Sequence, residues 1–137
     1  MKKILFFIFT IIIFNQCSID DDIPKQHYEM LPIENISFPN EFILNNTYTI
    51  EFSFVKPTDC YAYNNMIIIK EGPNRTLGVN TVVFEKNNCT SLTSNNTVLQ
   101  YFEFKVIYDQ VYHFHIWKGK DAQGNDIYDD YNIPVIN

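Results

Sequence analysis

The sequence predicts an all-β domain, and three observations carry that prediction. Aromatic residues recur in every apolar segment, whereas Ala, which favours helices, is nearly absent. Apolar and polar residues alternate strictly at residues 47–55, which places Tyr48, Ile50, Phe52 and Phe54 on one face. Polar turns separate about seven short segments, none with helical periodicity, so we expect an antiparallel β-sandwich, with a small open barrel as the alternative.

Proline, glycine and polar turns delimit the strands of the first half of the domain. Residues 33–38 form a strand that ends at a proline, and residues 47–55 form the alternating strand. After a further turn, residues 60–70 form either one strand with a bulge at residues 64–65 or two short strands. A Gly-Pro turn then leads into a strand at residues 79–86.

Three more strands are expected in the second half. Residues 97–107 carry aromatic side chains on both faces, which predicts a central strand. Residues 111–118 and 127–136 form a hairpin around the polar loop at residues 118–126. Pro134 is tolerable in the last strand if that strand lies at an edge, because proline cannot donate to a neighbouring strand.

A short motif narrows the type of sandwich. The pattern Asp109-x-x-Tyr112-x-Phe114 resembles the tyrosine corner of immunoglobulin-like and fibronectin-type sandwiches. In those proteins a tyrosine at the start of the sixth strand bonds back to the backbone just upstream. The resemblance implies an immunoglobulin-like sandwich with such a bond at Tyr112.

Residues 1–16 have the layout of a secretory signal peptide. Two lysines precede an apolar run at residues 4–14, which is too short to span a bilayer. The sequence Phe14-Asn15-Gln16-Cys17 resembles a degenerate lipobox, the signal of bacterial lipoproteins. The resemblance implies cleavage after residue 16 and acylation of Cys17, for example with palmitate. The alternative is an ordinary signal peptide beside an unassigned cysteine.

Residues 17–30 are polar and acidic and predict a tether ahead of a domain at residues 31–137. The aspartates at residues 20–22 resemble the surface-export signal of lipoproteins in Bacteroidota-type bacteria. The resemblance implies an outer-membrane protein that is lipid-anchored and faces the cell exterior; the alternative is an acidic spacer on a periplasm-facing protein. The stretch Tyr-x-Phe-x-Ile-Trp-x-Gly-x-Asp at residues 112–121 resembles the C-terminal hairpin of small flavobacterial lipoproteins, which implies compartment and fold but no activity.

The chain has three cysteines, and their odd number bears on the anchor. Acylation of Cys17 leaves Cys60 and Cys89, which we expect to form a disulfide in an oxidising compartment. A redox or metal-binding pair is the alternative, although the Cys-x-x-Cys spacing typical of such pairs is absent from the sequence.

Two clusters are weak candidates for metal binding. His113 and His115 lie two residues apart on one strand, so both point to the side of Trp117, and His27 would have to supply a third ligand. The acidic hairpin offers oxygen atoms of the kind that bind calcium, but its spacing does not fit an EF-hand, and we expect an ordinary turn with solvated acids. Its members are Asp121, Asn125, Asp126, Asp129 and Asp130. We predict no metal and no cofactor.

Charge and motifs limit the function classes. The formal net charge is −6, and loss of two lysines with the signal peptide changes it to 8 − 16 = −8, which argues against nucleic acid as a partner. Catalytic motifs of the common hydrolase and phosphate-binding types are absent, so we predict no enzyme activity.

We expect a non-enzymatic binding or structural module, held on a membrane by its lipid anchor, with a protein or a glycan as ligand. Trp117, Tyr128 and Tyr131 are the candidate contact residues. The alternative is a periplasm-facing inhibitor or immunity-type lipoprotein that blocks an exported enzyme with the loop at residues 87–96.

Overall fold

The computed structural model describes residues 25–94 and 96–137, and within them the chain is all-β, as predicted. The signal peptide, Cys17 and the acidic run lie outside the described residues, so the predictions about them stay predictions. The strands are β1 (Gln26–Leu31), β2 (Ile33–Ser37), β3 (Phe42–Ile43), β4 (Thr47–Val55), β5 (Tyr61–Glu71), β6 (Asn74–Phe84), β7 (Thr97–Lys105), β8 (Tyr112–Lys120), β9 (Asp126–Ile133) and β10 (Val135–Ile136).

Strand β6 is the centre of a five-stranded sheet. β5 pairs antiparallel with one edge of β6, and a register shift between Tyr63 and Asn65 identifies it as a single bulged strand. Two strands share the opposite edge of β6: β1 runs antiparallel to residues 79–84, and β8 runs parallel to residues 74–77. β9 pairs with β8 and lies at an edge, but it ends at Ile133, so Pro134 divides the predicted strand at residues 127–136 into β9 and β10.

A second sheet has the order β2-β4-β7, and the short strands β3 and β10 pair in parallel. The prediction of a wholly antiparallel fold is therefore wrong at two pairs, β6–β8 and β3–β10. Parallel neighbours require a crossover connection, and the chain between β6 and β8 makes one by passing through β7 in the other sheet. Alternation along a strand predicts which of its faces is buried but not which strand lies beside it, so the two parallel pairs could not be predicted.

Two strands differ from their predicted place. β1 covers residues that the sequence assigned to the tether, and the sheet therefore begins before the predicted boundary at residue 31. Pro32 separates β1 in the five-stranded sheet from β2 in the three-stranded sheet. Because proline has no backbone N–H, the pairing of β1 with β6 ends at Leu31. β7 pairs with β4 alone, so it is an edge strand rather than the predicted central strand, and Tyr101 on its outer side is 52% exposed.

The buried faces of the two larger sheets meet in one aromatic-rich core. Ile50, Phe52 and Phe54 of β4 are at most 1% exposed, as the alternation of that strand predicts. Phe42, between the sheets, packs with its ring centroid 5.2 Å from that of Phe104. Burial of such side chains contributes roughly 1.5–3 kcal/mol each, which makes this core the main source of stability.

Two local features predicted from the sequence are present. Cys60 and Cys89 form a disulfide with a Cα–Cα distance of 5.6 Å. The hydroxyl oxygen of Tyr112, a fully buried residue, accepts hydrogen bonds from the backbone N–H groups of Ile107 (3.0 Å) and Tyr108 (3.1 Å). This is the upstream bond that the tyrosine-corner motif implies, and it fixes the chain where it enters β8.

Candidate functional site

Trp117 and Tyr128 form a cross-strand pair on the outer face of the five-stranded sheet. Because Tyr112, Phe114 and Ile116 alternate into the core, Trp117 points outward. Its indole is nevertheless only 9% exposed, whereas Tyr128 is 41% exposed. In this pair Trp117 is therefore largely buried and Tyr128 is exposed to solvent.

An open depression of about 420 Å³ surrounds this pair, and Met30 of β1 lines its far side. The Met30 side chain lies over Gly78 of β6, where a Cβ atom would stand only 3.0 Å from its terminal methyl carbon. Tyr28, two residues before Met30, lies on the same face of β1 and is 63% exposed. We call these four residues, Tyr28, Met30, Trp117 and Tyr128, the outer aromatic face.

Asp126 and Lys120 border the depression and fix the indole. Asp126 Oδ1 accepts hydrogen bonds from Trp117 Nε1 at 2.9 Å and from Lys120 Nζ at 2.7 Å. The hydrogen bond from Lys120, followed by the one from Trp117, lowers the pKa of the Asp126 carboxyl below its ordinary value. The same contact with Asp126 raises the pKa of Lys120. Both groups are therefore charged at neutral pH, and the Asp126 carboxylate holds the Trp117 ring through its hydrogen bond.

Tyr131 does not belong to this surface. It pairs with the inward-facing Phe114, and its ring lies 5.4 Å from that of Phe38 at the border of the core. Positions 128 and 131 are three residues apart on one strand, so they face opposite sides of the sheet. The predicted contact residues are thus divided between two faces.

The two candidate histidines point to the outer face but pair across the strands. His113 Nδ1 lies 2.6 Å from Asn132 Oδ1, and His115 Nδ1 lies 2.6 Å from Asp130 Oδ1. His27, the suggested third ligand, instead contacts Glu85. Within residues 25–94 and 96–137, Asp59, Cys60 and Cys89 are the one group of three such ligand residues in mutual reach, and both its cysteines are in the disulfide. The histidine pair thus has cross-strand partners and no third ligand among the described residues.

The acids of the β8–β9 hairpin also take separate partners. Asp121 caps the turn by accepting hydrogen bonds from the backbone N–H groups of Gln123 and Asn125. The Asn125 side-chain amide, followed by the Asn125 backbone N–H, lowers the pKa of Asp121. Asp129 lies 3.7 Å from Lys118. The hairpin is arranged as a turn with cross-strand charge pairs, not as a cage around a cation.

Arg75 is the residue that sequence reasoning missed. It lies on β6 and is only 3% exposed. The buried residues Leu77, Val79, Thr81 and Val83 continue the same alternation, so Arg75 is in phase with the core. The predicted strand began at residue 79, so the alternation that includes Arg75 was not recognised. An Arg at an inward position would have been detected by extending the alternation back to the turn.

No protein-family model matches the chain, and neither a curated protein nor a solved structure matches it. Among the described residues, no helix has the length and apolar character that a membrane span requires.

Proposed function

We propose that the chain is an exported lipoprotein, anchored through Cys17 in the outer membrane and facing the cell exterior, that acts as a non-enzymatic binding module. The single observation that carries the binding role is the outer aromatic face. Its Tyr28, Met30 and Tyr128 are 63%, 36% and 41% exposed on one side of a sheet whose other side forms the core. Aromatic residues and Met are enriched where proteins bind one another.

A protein is the partner that this surface fits best. Sugar rings stack on open aromatic faces, but Trp117 is only 9% exposed and its N–H is already donated to Asp126. Met30 and Tyr128 flank it on a broad sheet surface, and flexible Met side chains adapt to apolar partner surfaces. A glycan ligand is therefore the weaker of the two candidates.

The Cys60–Cys89 disulfide supports the proposed compartment and anchor. Such bonds persist in exported proteins, where the surroundings are oxidising. Because Cys60 and Cys89 bond to each other, Cys17 has no remaining cysteine partner in the sequence, which favours its acylation.

We also propose that the fold is an immunoglobulin-like variant. The backbone hydrogen bonds to the Tyr112 hydroxyl support this, as does the β2-β4-β7 sheet, whose order matches strands A, B and E of that class. The parallel β6–β8 pair departs from the antiparallel sheets of the class. In this variant the second strand of the β5–β6 hairpin, rather than the first, lies beside β8.

Photo-crosslinking tests the binding face in cells that make the protein. A benzophenone amino acid replaces Tyr128 in one variant and Tyr101 in the control, because Tyr101 is similarly exposed on the other sheet. We expect one defined protein adduct from position 128, none from position 101, and loss of the adduct when Met30→Asp is added. Equal labelling at both positions, or an adduct unaffected by Met30→Asp, would contradict the proposal.

A second candidate function rests on the loop after β6. The disulfide ties Cys89 to Cys60, Thr90 accepts from the Asp59 backbone N–H at 3.1 Å, and the Leu92 N–H donates to Pro57 at 3.1 Å. Residues 85–91 are nevertheless exposed. The loop is therefore held in one conformation and open to solvent, which is how a preorganised inhibitor loop binds its target. A periplasm-facing inhibitor would be spared by protease added to intact cells, whereas a surface module would be cleaved.

A further inference from the structure

Arg75, the only arginine in the sequence, carries a buried positive charge. Its guanidinium carbon lies 5.1 Å from the centroid of the Tyr112 ring and 5.8 Å from those of Phe104 and Tyr108. The guanidinium therefore makes cation–π contacts with three rings of the core.

The described residues accept hydrogen bonds from only one of the three guanidinium nitrogens of Arg75. Nη1 donates to the carbonyl oxygens of Gly72 at 2.5 Å and Asn74 at 2.7 Å. Across residues 25–94 and 96–137, no carboxylate lies within 4.0 Å of the Arg75 guanidinium. Arg75 therefore has no anionic partner among the described residues, and an anionic ligand that reaches it would form charge-assisted hydrogen bonds.

The unused donors form the edge that carboxylates recognise. Nε and Nη2 donate to no described residue. No enclosed side-chain nitrogen or oxygen of the described residues lacks a partner, so neither of these nitrogens is sealed in the core without one. Their N–H groups are parallel, the geometry in which arginine binds a carboxylate through two hydrogen bonds.

A pocket of about 210 Å³ opens onto Arg75. Lys70 and Lys105 add positive charge to its lining in a chain of net charge −6, and Glu103 is the acid beside them. Apolar side chains complete the walls: Ile68, Phe104 and Ile107. We infer that this pocket binds the carboxylate group of a small organic acid.

Size and charge favour this ligand over a phosphate. Drug-sized ligands occupy pockets of about 300–1,000 Å³, so a volume of 210 Å³ suits a short acid. A phosphate dianion would bring more negative charge into a pocket that Glu103 also lines, and it has no apolar part for the walls. A carboxylate has two oxygens for the two N–H groups, and an organic acid has a hydrocarbon body for the walls.

NMR of the full chain in a non-ionic detergent tests the inference. Because the chain has a single arginine, the Nε–Hε signal of Arg75 is unambiguous. Sodium butyrate is the probe, butyramide is the neutral control, and phosphate at equal ionic strength is the competing anion. We expect saturable shifts of this signal and of the Ile68 and Ile107 methyl signals with butyrate, no saturation with butyramide, and weaker binding of phosphate.

Ile107→Glu is the decisive variant, because it keeps the buried Arg75 and places a carboxylate at the pocket. Ile107 is 58% exposed, so the change is compatible with folding, and Ile127→Glu on β9, 43% exposed in the wild type, is the matched control. We expect Ile107→Glu to weaken butyrate binding at least tenfold and Ile127→Glu to leave it unchanged. Absence of saturation in the wild type, tighter binding of phosphate, or full binding by Ile107→Glu would overturn the inference.

Discussion

Tyr112 shows how a single hydroxyl determines a chain path at the residue scale. Its oxygen accepts two backbone N–H groups, and its ring packs edge-on against Phe104 at 5.1 Å. Removing the oxygen leaves those donors without their acceptor while the ring stays in place.

We therefore expect Tyr112→Phe to lower the free energy of unfolding by about 1–3 kcal/mol. Urea denaturation measures the change, and Tyr128→Phe on the exposed outer face should stay within about 0.5 kcal/mol of the wild type. Equal unfolding curves for Tyr112→Phe and the wild type would show that the hydroxyl contributes nothing.

The ionisation of the Tyr61 phenol depends on its contact with Glu29. Its hydroxyl donates to Glu29 at 2.7 Å, and this hydrogen bond, followed by burial and the Glu29 charge, raises the pKa of Tyr61 to about 12. The phenol should stay protonated above pH 10, where ordinary tyrosines ionise. The stability from this pair is present below about pH 10 and is lost as the pH rises towards 12.

An NMR titration of the tyrosine ring carbons measures this shift. Glu29→Gln should return the pKa of Tyr61 towards 10, because it removes the negative charge beside the phenol. Glu34→Gln, at an exposed position of β2, is the control and should leave the titration unchanged. A wild-type Tyr61 that ionises near pH 10 would refute the assigned contact.

At the scale of elements, the disulfide joins two segments rather than two strands. Cys60 directly precedes β5, and Cys89 lies in the loop between β6 and β7. The bond closes a loop across a sequence separation of 29, for which the chain-entropy model gives roughly 3.5 kcal/mol.

Replacing Cys60 and Cys89 together by Ser should lower the free energy of unfolding by about 2–5 kcal/mol. Limited proteolysis should then cut within residues 85–94, since the loop loses its covalent tie. Cys17→Ser is the matched control and should leave both unfolding and cleavage unchanged. A double variant that unfolds and resists protease like the wild type would contradict this role of the bond.

At the scale of the whole molecule, local pattern predicted the parts better than their arrangement. The alternation of β4 identified Ile50, Phe52 and Phe54 as core, and the cysteine count identified the Cys60–Cys89 bond. Both follow from short-range rules of side-chain period and pairing.

The errors concern long-range order. Nothing in the alternation of β6 and β8 specifies that they are neighbours, because that pairing depends on how the sheets fold over one another. Likewise β1 has a polar sequence, and its pairing to β6 makes it a strand. The candidate site is divided because side chains alternate along a strand, so Tyr128 and Tyr131, three residues apart, point to opposite sides of the sheet.

We propose that a lipid anchor at Cys17 holds this domain at the cell exterior, and a comparison of the wild type with Cys17→Ser tests the proposal. Intact mass, membrane partition and protease sensitivity on whole cells are measured for the wild type and for Cys17→Ser. We expect an acylated, membrane-bound wild type that protease cleaves on intact cells, and a Cys17→Ser variant without acyl mass that is released from the membrane. An unacylated, soluble wild type would contradict both the anchor and the surface location.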